Sequence, residues 1–236
     1  MLRVVHLPRL GFVIVGASLA ARLIAAEPVI WRLDQTTVVG GHPTEVLGAP
    51  RTVTEDDGAA VYFNGASDGL FVPVNPLQGL AAFTIEARFK PAADGPEAQR
   101  FLHVQDDIGA PGDPGSRALL EIRLANGTWA LDAFLSHPAT KARLVLLDPT
   151  KRHPADRWTW VALVYDRGRM TSYVDGVKEL EGEVSFPPMG PGRVSLGVRQ
   201  NKIYWFKGGI GEVRFHPAAL APEQLQHPAN PRPAKQ

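Results

Sequence analysis

The stretch WTWVALVYDRGRMTSYVDG, residues 158–176, determines the fold class of this chain. Its first half, WTWVALVY, is apolar at almost every position, which is typical of a strand covered on both faces. Asp175-Gly176 then separates RMTSYV from VKELEGEV, and a two-residue Asp-Gly loop supplies the positive φ angles of a type I′ turn. The stretch therefore predicts a buried strand that leads into a β-hairpin.

The same strand signals recur on both sides of this stretch. Apolar and polar residues alternate with a period of two in three further segments: FTIEARFK (83–90), ALLEIRL (118–124) and VSLGVR (194–199). Asn126-Gly127 predicts a second hairpin, and RFLHVQ (100–105) predicts a strand inside a long irregular segment. Only residues 221–226 favour a helix. The pattern predicts an all-β sandwich or barrel and argues against βαβ units.

Residues 1–26 have the features of a secretory signal peptide. Arg3 and Arg9 precede the apolar run LGFVIVGASLAA (residues 10–21), and Ala25-Ala26 suits cleavage. The run is shorter than the roughly 20 residues of a membrane span, so no stable span is expected after cleavage. The chain has no cysteine, which excludes disulfides and thiolate sites. Export without disulfides favours a secreted or periplasmic protein of bacterial origin.

The charge balance argues against a nucleic-acid partner. Three of the 25 basic residues lie in segment 1–26, so 22 basic residues face 24 acidic residues in the remainder. A formal charge of −2 without runs of like charge leaves no broad surface for nucleic acid or anionic lipid. Residues 27–226 are enough for one domain with a large core, and the Pro-rich residues 227–236 are expected to form a flexible tail.

The segment FNGASDGLFVP, residues 63–73, contains the G-x-S-x-G pattern of a serine-hydrolase nucleophile elbow around Ser67. Such an elbow requires a helix directly after the serine. Here the extended run LFVPV follows, with Pro73 inside it, and no helix can begin there. Residues 65–69 are therefore predicted to form a turn between two strands, with Ser67 as a turn residue and not a nucleophile.

Two groups of carboxylates are candidate sites. Glu179, Glu181 and Glu183 alternate in KELEGEV, and two carboxyls about 5 Å apart can carry out glycoside hydrolysis. A solvated strand face is the alternative. Asp106 and Asp107 lie in the loop VQDDIGAPGDPG, where carboxylate and backbone oxygens can bind calcium. A hydrated polar loop is the alternative there.

The aromatic residues divide into an expected core and an expected rim. Trp158 and Trp160 lie in the apolar run and are predicted to be core residues. Tyr204 and Trp205 follow the polar RQNK, so they are the predicted rim aromatics, onto which the CH face of a sugar could stack. A packed sandwich edge is the alternative for this pair.

Three segments resemble the laminin-G-like, concanavalin A-like jelly-roll family. The opening stretch resembles the family pattern W-x-x-V-A-x-x-Y-D…Y-V-D-G, FKGGIGEVRFHPAAL (206–220) resembles its closing strand, and AVYFNGASDGLFVP (60–73) resembles its early turn. The resemblance spans residues 59–226 and implies a two-sheet antiparallel jelly-roll sandwich. Some relatives bind calcium and glycans at one rim, and others are glycosidases with an E-x-D-x-x-E strand, which ELEGE (179–183) does not match.

The expected function is non-catalytic binding of a carbohydrate or a protein surface outside the cytoplasm, with a glycan or an envelope protein as partner. The predicted ligand site comprises Asp106, Asp107, Tyr204 and Trp205, with calcium as a candidate cofactor. A glycoside hydrolase or lyase on the same scaffold, using the alternating glutamates, is one alternative. A structural or adhesion module of the cell envelope is the other.

Overall fold

The computed structural model describes residues 27–55, 58–107 and 115–227, which form eighteen strands and one 3-10 turn at Pro222–Gln224. The first nine strands are β1 (Val29–Arg32), β2 (Val38–Val39), β3 (His42–Pro43), β4 (Glu45–Leu47), β5 (Arg51–Glu55), β6 (Gly58–Asn64), β7 (Gly69–Val72), β8 (Ala82–Pro91) and β9 (Ala98–Asp106). The other nine are β10 (Arg117–Ala125), β11 (Thr128–His137), β12 (Ala142–Leu147), β13 (His153–Pro154), β14 (Thr159–Asp166), β15 (Arg169–Val174), β16 (Val177–Glu183), β17 (Gly192–Leu196) and β18 (Lys207–His216).

Two antiparallel sheets hold all of these strands except β2 and β3, which form a separate ribbon. The front sheet has the order β12-β11-β10-β9-β17-β7-β4, with β13 paired to β11. The back sheet has the order β16-β15-β14-β8-β18-β6-β5, with β1 paired to β18. The chain passes repeatedly from one sheet to the other. This architecture confirms the predicted two-sheet jelly-roll sandwich.

The core between the sheets is built from the inward residues of the alternating strands. β8 directs Ile85, Ala87 and Phe89 inward, and all three side chains are inaccessible to solvent. Phe89 of the back sheet stacks on Phe101 of the front sheet, with ring centroids 4.3 Å apart, and meets the edge of Trp129 at 5.0 Å. These ring contacts join the two sheets into one apolar unit.

β14 is apolar on both faces because both of its faces are covered. Val161 and Leu163 point into the core between the sheets. Ala162 and Val164 point to the outer side of the back sheet, where Leu225 from the C-terminal segment packs against them. The continuous apolar run in the sequence thus reflects two separate apolar contacts.

The structure corrects the prediction that Trp158 belongs to the core. Trp158 is half-buried on the outer side of the back sheet, where the Arg88 guanidinium lies 4.0 Å from its ring centroid and its indole N–H donates to Glu55 at 2.6 Å. Trp160 is buried, but Arg214, 5.2 Å from its ring centroid, covers it on the same outer side. The period of two along the strand places both tryptophans on the face opposite the core.

Both predicted hairpin turns are confirmed. Asn126 and Gly127 have φ angles of 51° and 68°, and Asp175 and Gly176 have φ angles of 47° and 78°. Positive φ at both central residues is the requirement of a type I′ turn. The helix predicted over residues 221–226 is wrong in extent, since only the 3-10 turn forms there.

Residues 65–69 form a turn, as predicted. The side-chain oxygen of Asn64 accepts the backbone N–H groups of residues 66–68, and the Asp68 carboxylate accepts the N–H of Asn64. The Ser67 hydroxyl accepts a hydrogen bond from the Asn64 amide at 3.0 Å. β7 follows immediately, so Ser67 lacks the helix that a nucleophile elbow requires.

The predicted signal peptide, residues 1–26, lies outside the described residues, as does the predicted tail apart from His227. Within the part of the chain that is described, no helix has the length and apolar character needed to cross a membrane.

Candidate functional site

A groove of about 520 Å³ crosses the outer face of the front sheet over β9, β10, β11 and β12. Its floor consists of the outward residues of these strands. β10, for example, directs Leu119, Glu121 and Arg123 into the groove, while Leu120 and Ile122 face the core. Because neighbouring strands are about 4.8 Å apart, a groove across four strands is about 14 Å wide.

The connection between β17 and β18, residues 197–206, forms one wall of the groove. Tyr204 is 43% exposed, and its ring centroid lies 3.8 Å from the Arg100 guanidinium. The Tyr204 carbonyl accepts the Arg100 backbone N–H at 3.0 Å. Lys202 and Tyr204 have φ angles of 61° and 60°, which non-glycine residues adopt only when their surroundings hold them there. Tyr204 is therefore fixed at the groove edge.

Gln200 attaches this wall to the sheet beneath it. Its side-chain amide donates to the carbonyls of Arg193 at 2.9 Å and His103 at 3.3 Å, and its side-chain oxygen accepts from the Arg193 guanidinium at 3.0 Å. These bonds connect the wall to β17 and β9 together. The position of Tyr204 thus depends on a buried side chain that does not itself line the groove.

Two carboxylates lie directly opposite each other on the groove floor. Glu121 of β10 is the cross-strand partner of Asp132 of β11, and both are almost fully buried. Arg100 approaches Glu121 to 2.9 Å, and Arg123 approaches Asp132 to 2.5 Å and Glu121 to 3.5 Å. The two acids and two arginines form one network across three strands.

Burial raises the pKa of Glu121 to about 7, against the lowering effect of Arg100 and Arg123, and the neighbouring Asp132 adds to the increase. Burial likewise raises the pKa of Asp132. Two like charges at opposed cross-strand positions resist simultaneous ionisation. The pair therefore titrates as a unit and retains a proton into the neutral pH range.

His103 lies on the same face of the front sheet, opposite Leu119 of β10, and is only 1% exposed. Its Nδ1 accepts the Gln200 backbone N–H at 3.1 Å, so the ring proton of the neutral imidazole is on Nε2. Nε2 has no hydrogen-bond partner among the described residues. Burial, together with the positive charge of nearby arginines such as Arg199, holds the His103 pKa well below its ordinary value.

The structure places the predicted site residues in two different regions. Tyr204 lines the groove, and Trp205 beside it is half-buried and does not. Asp106 is buried at the far end of β9, where its carboxylate accepts the backbone N–H groups of Ser116 at 2.7 Å and Gly190 at 3.1 Å. Tyr204 contacts the start of β9, so about 20 Å of extended strand separates it from Asp106.

Asp107 is exposed, and its backbone N–H donates to the carbonyl of Pro191 at 2.8 Å. The loop that follows it, residues 108–114, lies outside the described residues. Among residues 27–55, 58–107 and 115–227, no three His, Asp or Glu side chains come together in a way that could hold a metal ion. Calcium binding near Asp106 and Asp107 stays a prediction.

The alternating glutamates of β16 do not form a pair. The ladder between β15 and β16 shifts register next to Glu179, and the Glu179 carboxylate instead contacts His153 of β13 at 2.7 Å. Glu181 is exposed and pairs with Lys178 at 2.8 Å. The bulge turns one carboxylate toward the front sheet and leaves the other in solvent.

A second concavity, of about 430 Å³, lies at the rim of the back sheet and is lined by Tyr62 and Lys90. Burial alone would raise the pKa of Glu55 beside it, but hydrogen bonds from Tyr62 and Trp158 and the Lys90 ammonium lower it below its usual value. Glu55 therefore satisfies the hydrogen-bond donors of Tyr62 and Trp158 and pairs with the Lys90 ammonium. The front-sheet groove is the stronger candidate because its floor holds the opposed carboxylates of Glu121 and Asp132 and its edge holds the exposed ring of Tyr204.

Glu121, Asp132 and His103 were not among the predicted site residues, although the hairpin supplied a signal for two of them. A two-residue loop at Asn126-Gly127 places Glu121 directly opposite Asp132. Both are polar residues at positions of their strands that face away from the core. His103 had no comparable signal, because its burial depends on a loop from a distant part of the sequence.

A family model described as the concanavalin A-like lectin/glucanases superfamily, Laminin_G_3, matches residues 63–226. This range includes the whole groove and both hairpins. No curated protein matches the chain by sequence.

Several solved structures share the fold at low sequence identity. Domain 4 of AbnA, a GH43 extracellular arabinanase from Geobacillus stearothermophilus, solved in complex with arabinotriose, is 23% identical with a TM-score of 0.61, over 85% of this chain and 97% of that one. The botulinum neurotoxin serotype D binding domain is 13% identical with a TM-score of 0.58, over 83% of this chain and 48% of that one. A leech intramolecular trans-sialidase is 21% identical with a TM-score of 0.50, over 63% of this chain and 23% of that one.

Proposed function

We propose that this chain, which belongs to the concanavalin A-like lectin/glucanases superfamily, is an exported, non-catalytic module that binds a carbohydrate in the groove of the front sheet. The observation that carries the proposal is the exposed ring of Tyr204, held at the groove edge over Arg100. An aromatic face beside fixed polar groups is a suitable surface for a sugar, because its CH groups can stack on the ring while its hydroxyls find hydrogen-bond partners.

Two further features support binding. The groove is open along the sheet and already formed, so a ligand would not have to order a loop to enter it. The neighbours include an arabinanase domain solved with arabinotriose and a toxin binding domain, and this suits a binding role by analogy of fold. Export rests on the N-terminal segment 1–26, and the absence of cysteine in an exported chain favours a bacterial origin.

The test is a glycan array probed with the purified protein, with calcium and again with a chelator, followed by titration of the best glycan with the Tyr204→Ala variant. Loss of the aromatic face should weaken binding about tenfold or more. Ile203→Ala is the matched control, since Ile203 is exposed in the same wall but does not line the groove. Equal affinities for the three proteins would contradict this site, and an array without any bound glycan would favour an adhesion module.

A second candidate function is glycoside hydrolysis or elimination in the same groove, and the Glu121–Asp132 pair is the observation in its favour. Glu121 and Asp132 are directly opposed on neighbouring strands, which brings two carboxyls together on the groove floor, and glycoside hydrolysis uses a pair of carboxyls. A carboxyl with a pKa of about 7 could act as the acid. If the wild type turns over a bound glycan and the Glu121→Gln variant does not, hydrolysis or elimination in the groove would be established. Binding without turnover would exclude it.

A further inference from the structure

We propose that two copies of this chain associate edge to edge through β5, so that their back sheets join into one continuous antiparallel sheet. The inference goes beyond the proposed function, because it concerns one side of the sandwich and not the groove. It rests on three observations: the unpaired edge of β5, the direction of its free backbone groups, and a sequence, RTVTE, that complements itself when two copies run antiparallel.

β5 is the last strand of the back sheet and has a neighbour on one side only. It pairs with β6 in a regular register along its whole length, and no other described strand pairs with its outer edge. Residues 51–54 are all exposed. The opposite side of the sandwich is closed, because β12 and β16 contact each other there. The unpaired edge of β5 is therefore a template for a further strand.

The hydrogen bonds of β6 determine which backbone groups of β5 are free. The Gly65 N–H donates to the Phe206 carbonyl at 3.0 Å, at the end of the ladder between β6 and β18. Residues of a central strand bond alternately to its two neighbours, so the even-numbered residues of β6 bond to β5. Their partners are the odd-numbered residues of β5. The N–H and C=O groups of Thr52 and Thr54 therefore point away from β6, toward the open edge.

The sequence of β5 favours pairing with itself. The strand contains no proline, lysine or bulge, which are features that prevent pairing at exposed edges. Arg51 and Glu55 lie at its two ends, and Val53 lies midway between them and is 36% exposed. When two copies pair antiparallel about Val53, Arg51 of each copy lies opposite Glu55 of the other. The Glu55 side chain is 25% exposed, so its carboxylate is accessible to the second copy.

The same register satisfies the free backbone groups. With Val53 on the two-fold axis, Thr52 of each copy lies opposite Thr54 of the other, and each of these pairs exchanges both backbone hydrogen bonds. Thr52 and Thr54 are the residues whose N–H and C=O groups are free. The backbone and the charged side chains therefore select one register, in which paired threonines and opposite charges both stabilise the contact.

The contact is small and has a defined symmetry. It uses five residues from each copy, so we expect a reversible dimer that forms as the protein concentration rises. The two-fold axis is perpendicular to the joined back sheet, which places both front sheets on the same side of it. The two front-sheet grooves would then open in the same direction, and this suits a surface that displays repeated ligands.

Sedimentation velocity of the purified protein, from micromolar to millimolar concentration, tests the association. Thr54→Pro and Thr54→Ala are a matched pair of variants: proline removes an outward N–H and leaves the bonds to β6 in place, whereas alanine keeps that N–H. We expect the wild type and Thr54→Ala to dimerise and Thr54→Pro to stay monomeric, with circular dichroism confirming its fold. A wild type that is monomeric at every concentration would overturn the proposal, as would a folded Thr54→Pro variant that dimerises normally.

The register is tested by a change of charge. Arg51→Glu places like charges opposite each other at both ends of the contact, so it should weaken the dimer about tenfold. Arg167→Glu makes the same charge change in the exposed β14–β15 turn and should leave the association unchanged. Equal effects of the two variants would indicate general charge repulsion and would overturn this register.

Amide hydrogen exchange of the wild type gives a readout that needs no variant. The N–H groups of Thr52 and Thr54 should exchange slowly at high protein concentration and rapidly after dilution. The Val53 N–H, which bonds to β6, should be protected at both concentrations. If dimers form while the Thr52 and Thr54 amides exchange at the same rate at both concentrations, the contact lies elsewhere and the proposal is wrong.

Discussion

Glu121 and Asp132 lie on the groove floor, and burial there disfavours the charged form of both carboxyls. Arg100 and Arg123 compensate them only in part, since the pKa of Glu121 still rises to about 7. A carboxyl whose pKa is higher in the folded protein than in the unfolded chain is bound to its proton more tightly after folding. Such a group contributes to stability at low pH and ceases to contribute as the pH rises.

The pH dependence of stability follows from this pair. The contribution of Glu121 is fully present below its unfolded pKa of about 4.5 and is lost as the pH rises through about 7. The wild type should therefore lose on the order of 2 kcal/mol relative to Glu121→Gln between these pH values. Urea unfolding from pH 4 to pH 8 measures the difference. Glu181→Gln, which removes an exposed carboxylate, should not show this decline. A difference in unfolding free energy between the wild type and Glu121→Gln that stays constant from pH 4 to pH 8 would contradict the raised pKa of Glu121.

At the scale of single residues, the sequence predicted some positions and not others. The turn at Gly65–Gly69 and the type I′ turns could be predicted, because their chemistry depends on neighbours in sequence. Tyr204 was predicted to be a rim aromatic from the polar residues before it. Its positive φ had no local signal, since neither it nor Lys202 is glycine, and the buried bonds of Gln200 hold that loop.

The C-terminal segment shows how an element can depend on a remote one. β14 is apolar on its outer face because residues 219–225 return to cover it, and Leu225 is fully buried against Ala162 and Val164. The sequence alone indicated two covered faces without indicating what covers the second. For that reason Trp158, in the same run, was assigned to the wrong side of the strand.

Leu225→Ala tests the importance of this cover. The substitution removes buried methyl groups and leaves a cavity, so it should reduce the free energy of unfolding by about 2–4 kcal/mol. Glu223→Ala, an exposed position in the neighbouring 3-10 turn, should change it by less than about 0.5 kcal/mol. Chemical denaturation of the two variants gives the comparison. Similar values for both would show that the segment does not contribute to stability through Leu225.

At the scale of the whole molecule, the two sheets should unfold together. Phe89 and Phe101 stack across the interface, and Phe206 packs beside both, so neither sheet keeps its core without the other. The strand pattern and hairpins allowed the sandwich to be predicted. The pairing of strands distant in sequence, such as β9 with β17, could not be predicted, because period and turn chemistry act only over short separations.

Phe101→Ala should weaken the whole sandwich, by about 3–5 kcal/mol. Thermal unfolding followed by far-ultraviolet circular dichroism and by tryptophan fluorescence should give one coincident transition, shifted to lower temperature by the same amount in both signals. Two separated transitions would mean that the sheets are independent units, which would contradict the continuous core.

The first strand pairs within the back sheet, and the last described segment packs on the outer side of that sheet, away from the groove. A linker, dye or biotin attached near Glu27 or His227 would therefore project behind the sandwich. Protein immobilised through either position on a sensor chip should present the front sheet uniformly to dissolved polymers. The same arrangement would allow two copies to be joined end to end with both grooves accessible. Under the proposed function, a bivalent reagent of this kind would bind a long glycan with increased avidity.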